Sequence, residues 1–153
     1  ESIDNLTLAI ETFRELNEGD PNNPEALYDV ANTRFSLGET YLTLKEHLIA
    51  LQTFQTAKTE FEKVLAINPT NPYAIRMSTY NLDRIGKCYI ALAKSGDRSD
   101  QLNSALEHFQ KAYAGFEKMK ADDKIGEIDL KAMPEMEANL IKLRNEIAAL
   151  SEN

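Results

Sequence analysis

The stretch Leu37-Gly38-Glu39-Thr40-Tyr41 decides how the chain is organised, because a similar stretch, Ile85-Gly86-Lys87-Cys88-Tyr89, follows 48 residues later. The same shift aligns three alanines and three phenylalanines, which are Ala9, Ala57, Ala105, Phe13, Phe61 and Phe109. It also aligns Leu6 with Phe54 and Leu102. A repeat period of about 20 to 50 residues is typical of solenoid proteins.

Proline and asparagine mark where the helices of each unit begin. Asn23 and Asn71 are favourable N-caps, and each precedes a proline that suits the first helical position. Apolar residues then recur with helical spacing. We expect helices over Ile3 to Leu16, Pro24 to Lys45, Leu48 to Ala66, Pro72 to Ala93, Asp100 to Lys120 and Pro134 to Leu150.

The turns follow from the comparison of the two units. Pro21 and Pro69 are expected to end the incoming helices. Ser95-Gly96-Asp97 breaks the second unit between its two helices, which places the corresponding turn of the first unit at Lys45 to His47.

One domain is predicted, in four parts. Residues 1–20 form the second helix of a partial repeat, 21–68 and 69–120 are two full repeats, and 121–153 are a capping region. The repeat weakens after Lys120, because Pro134 occupies the position of a third glycine and Glu117 that of a third proline. Residues 122–131 receive no assignment. Terminal repeats are commonly atypical because they shield the stack from solvent. Because the array starts half-way through a unit, we expect it to be excised from a longer protein.

The two repeated glycines require a packing reason. A glycine inside a helix costs about 1 kcal/mol relative to alanine. We expect Gly38 and Gly86 to allow two helix backbones to approach closely. Ala57 and Ala105 are small residues of the same kind on the second helix, and Phe61 and Phe109 are expected to fill the space beside these alanines.

Composition excludes several classes of function. The chain has 153 residues, with 17 Lys and Arg against 25 Asp and Glu, a net charge of −8. Generic nucleic-acid binding is therefore not expected, since it depends on cationic side chains. The sequence contains neither a run of 18 apolar residues nor a signal peptide. Without a targeting signal, a cytoplasmic location is the default.

Candidate catalytic and metal-binding residues are few. His47 and His108 lack neighbouring ligands at metal-binding spacing, so no metal site is predicted. Cys88, the only cysteine, is expected to be a buried small hydrophobic residue rather than a nucleophile. Because no phosphate loop or nucleophile elbow is present, we predict neither a cofactor nor enzymatic activity.

The repeated residues resemble the tetratricopeptide repeat family, with Leu-Gly and a later aromatic residue in the first helix, Ala-x3-Phe in the second, and then proline. The unit is longer than that family's common one. With its 48-residue length, Asp-Pro-x-Asn before the first helix and Arg84-Ile85-Gly86 within a later one, the unit is similar to the long repeats in C-terminal arrays of large bacterial signalling proteins. The resemblance implies an all-α, right-handed solenoid of antiparallel helix pairs with a C-terminal capping helix.

The resemblance also implies a function and a site. In that family, the first helix of each pair lines a concave groove that binds a peptide or helix of a partner protein. The positions on this groove would be Asn32, Phe35, Glu39, Leu42, Tyr80, Asp83, Arg84 and Lys87. Phe35 and Leu42 could equally be core residues. Phe35 and Glu39 stand where the family's carboxylate clamp has lysine and asparagine, which disfavours chaperone tails.

Two alternatives remain open at this level. The chain could be a regulatory segment of a larger signalling enzyme. It could also be a self-association module that stacks through the ends of the solenoid.

Overall fold

The computed structural model describes residues 2–20, 23–93 and 98–151, which form six α-helices. They are α1 (Ile3–Gly19), α2 (Pro24–Thr43), α3 (His47–Ile67), α4 (Pro72–Leu92), α5 (Arg98–Ala121) and α6 (Glu127–Ser151). No strand occurs in these residues. The predicted all-α class is therefore confirmed.

The helix starts of α2 and α4 have the predicted caps. The side-chain oxygen of Asn23 accepts hydrogen bonds from the main-chain N–H groups of Glu25 and Ala26, at 3.0 and 3.2 Å. Asn71 caps α4 in the same way. Both helices have proline in their first turn. Pro21 and the Ser95-Gly96-Asp97 turn lie outside the described residues.

The turn between α2 and α3 uses a lysine where a glycine is more common. Lys45 has a φ of 64°, in the left-handed region. The main-chain N–H of Glu46 donates to the carbonyl of Tyr41 at 2.9 Å, which closes the end of α2. This conformation costs a non-glycine residue roughly 1–2 kcal/mol. Because no glycine marks the turn, only the comparison between repeats could locate it.

The predicted start of the last helix is wrong. Helix α6 begins at Glu127, and Pro134 lies inside it on an exposed face. Asp129 in the first turn is fully buried, and its carboxylate accepts a hydrogen bond from the main-chain N–H of Gly126 at 3.3 Å. This capping interaction and the burial of Met133 stabilise the first turns of α6. They do so although Pro134 has no N–H and therefore removes one main-chain hydrogen bond from the helix.

The core lies between helices that are neighbours in the chain, and α2 also contacts α4. Its largest cluster joins α2, α3 and α4 around Phe54 and Phe61, which have no solvent exposure. A second cluster joins α1 to α2 around Leu6 and Ile10. Two further clusters join α5 to α6, around Leu143 and around Phe116 and Met133.

The two repeated glycines pack against aromatic rings rather than against a helix backbone, which corrects our expectation. A Cβ atom on Gly38 would lie 2.5 Å from the ring of Phe54, and one on Gly86 would lie 2.8 Å from the ring of Phe109. In the sequence alignment of the units, Phe54 corresponds to Leu102 and not to Phe109. The glycine contacts therefore differ in register between the two units.

The 48-residue period continues into α6, beyond the point where the sequence repeat weakens. The buried residues Asp129, Met133 and Leu140 are shifted by 48 positions from residues of α4 that face the core, namely Asn81, Ile85 and Leu92. Asn81 and Asp129 are both fully buried and both form hydrogen bonds to a neighbouring helix. Three buried positions of α6 thus keep the 48-residue spacing from α4.

Candidate functional site

A cavity of about 550 Å³ lies between α4, α5 and α6. We call it the α4–α6 cavity. Phe109 and Phe116 of α5 line it, although Phe116 is itself only 1% exposed. The α4 wall contains Tyr80, Asp83, Arg84, Lys87 and Ile90, and the α6 wall contains Ile128, Ala132, Glu135, Met136, Asn139, Lys142, Leu143 and Glu146. Its volume is within the range of about 300–1,000 Å³ that is usual for ligand pockets.

An ionic cluster forms around the buried carboxylate of Asp129 and shares Tyr80 with the cavity lining. The two carboxylate oxygens of Asp129 accept hydrogen bonds from Nε and Nη2 of Arg76, at 3.0 and 3.1 Å. The hydroxyl of Tyr80 donates to the same carboxylate. These bonds connect the first turn of α6 to the first half of α4, whereas no Cα atoms of the two helices come within 8 Å of each other. We call these three residues the Asp129 cluster.

The pKa values in this cluster show which interactions dominate. Burial alone would raise the pKa of Asp129, but the hydrogen bonds from Arg76 and Tyr80 outweigh it and lower that pKa below its usual value. Burial, followed by the hydrogen bond to Asp129, raises the pKa of the Tyr80 phenol. The cluster is therefore an ionised carboxylate held by a cation and a neutral phenol.

A charged network runs along the α4 wall and reaches α2. Arg84 Nε lies 2.6 Å from Glu39 Oε1, and Arg84 Nη1 lies 2.5 Å from Asp83 Oδ2. Lys87 Nζ is 2.7 Å from the same Asp83 oxygen. Burial alone would lower the pKa of Arg84, but the hydrogen bond to Glu39 and the negative charges of Glu39 and Asp83 raise it overall. The charges on this wall therefore largely neutralise one another.

The eight predicted groove residues separate into two groups. Tyr80, Asp83, Arg84 and Lys87 all line the α4–α6 cavity. The remaining four, Asn32, Phe35, Glu39 and Leu42, lie on α2. For all eight, a role in partner binding stays a prediction.

The α2 residues of the predicted groove have other surroundings. Phe35 is only 9% exposed and packs on Phe54, with ring centroids 5.6 Å apart. Leu42 packs against the same core cluster. Glu39 is the ion-pair partner of Arg84, and Asn32 is half-buried outside the cavity lining.

Sequence reasoning missed the whole α6 wall, including Glu135, Asn139 and Lys142, and the Asp129 cluster. The signal was present, because Asp129 is 48 residues beyond Asn81. It was not recognised because glycine and proline, the residues that identify the earlier repeats, change position after Lys120.

The remaining candidate residues, Cys88 and His108, pack among other side chains. Cys88 has no exposed surface, and burial raises the pKa of its thiol to about 11, so its prediction as a buried hydrophobic residue is confirmed. The ring of His108 lies against Tyr89, with centroids 5.5 Å apart. In residues 2–20, 23–93 and 98–151, no three His, Cys, Asp or Glu side chains are arranged to hold a metal ion.

No protein-family model matches this chain, and no curated protein sequence matches it. Among the helices described, none is both long enough and apolar enough to cross a membrane. Any function assigned to the chain is therefore inferred from the cavity and the contacts around it.

Proposed function

We propose that the chain is a non-enzymatic scaffold that binds a peptide or helix of a partner protein in the α4–α6 cavity. The observation that carries this proposal is a cavity of about 550 Å³ whose lining combines apolar side chains, such as Phe109, Ile128 and Met136, with charged and amide side chains. Protein interfaces commonly combine an apolar centre with a polar margin in this way. Because the charged residues of the α4 wall are already paired with one another, they would form the polar margin of the binding site rather than catalytic groups.

We propose further that the scaffold is a right-handed solenoid of antiparallel helix pairs of the tetratricopeptide kind. Contacts between α4 and α5 support the antiparallel arrangement, because Tyr80 packs on Phe116 and Tyr89 packs on His108. Between α2 and α3, Tyr28 packs on Phe61 and Phe35 packs on Phe54. In both pairs, later residues of the first helix meet earlier residues of the second.

Comparison of the two repeats suggests why the cavity is in the second one. Phe35 and Asp83 occupy the same position of the repeat. In the first unit the Phe35 ring fills the space over Phe54. In the second unit the Asp83 carboxylate is held by Arg84 and Lys87 instead, and it lines an open space. A partner side chain would thus occupy a volume that the first unit fills with its own aromatic ring.

A cavity-filling substitution tests this function more sharply than substitutions of Tyr80 or Asp83, which hold the Asp129 cluster and the Arg84 network. Ala132 is half-buried on the α6 wall, and Ala138 is exposed on the same helix outside the lining. Ala132→Phe should prevent partner capture from a lysate of the source organism, whereas Ala138→Phe should not. Both variants should melt close to the wild type. Capture of the same proteins by all three chains would contradict the proposal.

Self-association through α1 is a second candidate, which one observation favours. Leu16 is 62% exposed, whereas Val64 and Ala112, at the equivalent positions of α3 and α5, have no exposure. An apolar position that is covered in two repeats is thus uncovered in the first helix. Light scattering should then show a mass that rises with concentration, and Leu16→Glu should abolish that rise. A constant monomer mass would exclude this candidate.

A further inference from the structure

We propose that copies of this chain associate head to tail, with α1 of one copy packed against the open face of α6 of the next. The inference rests on self-association, the second candidate function, and it names the surface that α1 meets. It is drawn from the neighbours of α1 and α6 and from the residues on their open faces.

Helix α1 has one neighbour where the equivalent helices have two. Helix α3 lies against both α2 and α4, and α5 lies against both α4 and α6, whereas α1 lies against α2 alone among the helices described. It faces α2 through Leu6 and Ile10. Its open face carries residues that recur every three or four positions. These residues, which we call the α1 stripe, are Asn5, Ala9, Thr12, Leu16 and Gly19.

The equivalent positions of α5 show what such a face contacts. Ala105, which lies 96 residues beyond Ala9, is fully buried. Gly115 lies 96 residues beyond Gly19, and a Cβ atom on it would be 2.8 Å from the hydroxyl oxygen of Thr79 in α4. A Cβ atom on Gly19 would have no atom within 4 Å. The α1 stripe thus corresponds to the face by which α5 packs on the helix before it.

Helix α6 has an open face of the matching kind. In the part of the chain that the structure describes, its main chain comes close to α5 alone. Ile141 is 53% exposed, whereas Ala93, 48 residues earlier in the chain, is buried in one cluster with Ala105 of α5. The open face of α6 therefore corresponds to the face by which α4 packs on α5. Its residues, which we call the α6 stripe, are Leu130, Pro134, Ala138, Ile141, Asn145 and Ala148.

Both stripes are free of charge on helices that are otherwise highly charged. Helix α1 has five charged residues among 17, and α6 has eight among 25, but none of them belongs to either stripe. Joining the two stripes would cover Leu16, Leu130 and Ile141, which are 62%, 43% and 53% exposed, without burying an ionised group. Exposed apolar surface with a polar border is typical of interaction sites.

The α4–α5 pair also gives the alignment of the two stripes. Because Ala93 and Ala105 share a cluster, Ile141 of one copy should meet Ala9 of the next, with the helices antiparallel. Phe13 packs in the α1–α2 cluster, so its ring does not need to lie over Pro134 as the Phe109 ring lies over Gly86. Each added copy leaves one stripe open at either end, so the assembly grows as an open chain.

Complementation of two variants, measured by analytical ultracentrifugation, tests this contact. The wild type should exceed the mass of two chains as its concentration rises to about 1 mM, because a single helix pair is a small interface and associates weakly. Leu16→Glu and Ile141→Glu should each remain monomeric. An equal mixture of them should form pairs and stop there, since the α6 stripe of one variant and the α1 stripe of the other are intact. Leu48→Glu, at a leucine 58% exposed on α3, is the matched control and should associate like the wild type.

The outcomes separate this inference from the candidate on which it rests. All three substitutions are at exposed positions and should leave the melting temperature nearly unchanged by circular dichroism. If Leu16→Glu abolished association but Ile141→Glu did not, the α6 stripe would be the wrong surface and self-association through α1 would stand. A mixture that stayed monomeric, or equal loss with Leu48→Glu, would also overturn the head-to-tail contact. A constant monomer mass for the wild type would overturn self-association itself.

Discussion

Replacing Asp129 with alanine should lower the free energy of unfolding by about 3 kcal/mol, although this residue lies near the start of the last helix. Its carboxylate is fully buried and is bonded to Arg76, Tyr80 and the Gly126 N–H. Breaking a buried ion pair costs about 3–5 kcal/mol. The lower end applies because the Arg76 side chain is 43% exposed and can regain water.

Urea unfolding monitored by circular dichroism at neutral pH would measure this effect. For a chain of this size, the loss corresponds to a fall of roughly 6–12 °C in melting temperature. Asp129→Asn keeps the size of the side chain but removes its charge, and it should cost about 1–2 kcal/mol.

The matched control is Glu127→Gln in the same turn of α6. Glu127 is 79% exposed, and its ion pair with Lys131 is fully accessible to solvent, so the unfolding midpoint should hardly change. If Asp129→Ala and Glu127→Gln gave the same midpoint, the conclusion that the Asp129 cluster holds α6 to α4 would be refuted.

Three further predictions concern the core and its ionisable groups. Gly38→Ala should destabilise the chain by about 1–3 kcal/mol in urea unfolding, because its Cβ would overlap the Phe54 ring. Gly19→Ala should be neutral or slightly stabilising, because no atom lies within 4 Å of its Cβ. Equal effects of the two substitutions would refute the ring contact. Cys88 should react with iodoacetamide at least about 100-fold more slowly in the native chain than in denaturant, because its pKa is raised to about 11 and its side chain is buried. Comparable reaction rates in the two states would contradict this prediction. The pKa of Asp129 is lowered in the folded state, so its contribution to the free energy of unfolding is fully present above its unfolded pKa and is lost as the pH falls below about 4. The difference in unfolding free energy between the wild type and Asp129→Asn should therefore shrink as the pH falls through that range. A difference that grew instead would contradict the prediction.

The positions of the first five helices were predictable because local chemistry sets them. Asn23 and Asn71 cap the helices that follow them, and the apolar spacing identifies the rest. The largest difference is three residues, at the end of α1, where Leu16 was predicted and Gly19 is observed. Helix α6 was misplaced because Pro134 suggested a start, whereas Asp129 stabilises the earlier start by accepting from the Gly126 N–H and by its long-range contact with Arg76 of α4.

The candidate site was only partly predictable for a related reason. The resemblance to the tetratricopeptide repeat family, counted from Gly86, placed Tyr80, Asp83, Arg84 and Lys87 on one face of α4, and they line one cavity wall. Periodicity could not show that Phe35, at the same repeat position as Asp83, is packed into the core of the first unit. Whether a groove is open or filled depends on how side chains of three helices pack together, and one helix pattern does not contain that information.

The most direct test of the central claim is the position at which a captured partner touches the chain. A photo-crosslinking amino acid would be placed at Asn139 on the cavity rim, or at Lys63, which is exposed on α3 outside the lining. Irradiation of the complex should join the partner to the chain at position 139 and not at 63. Crosslinking at 63 alone, or equally at both positions, would contradict the assignment of the α4–α6 cavity as the binding site.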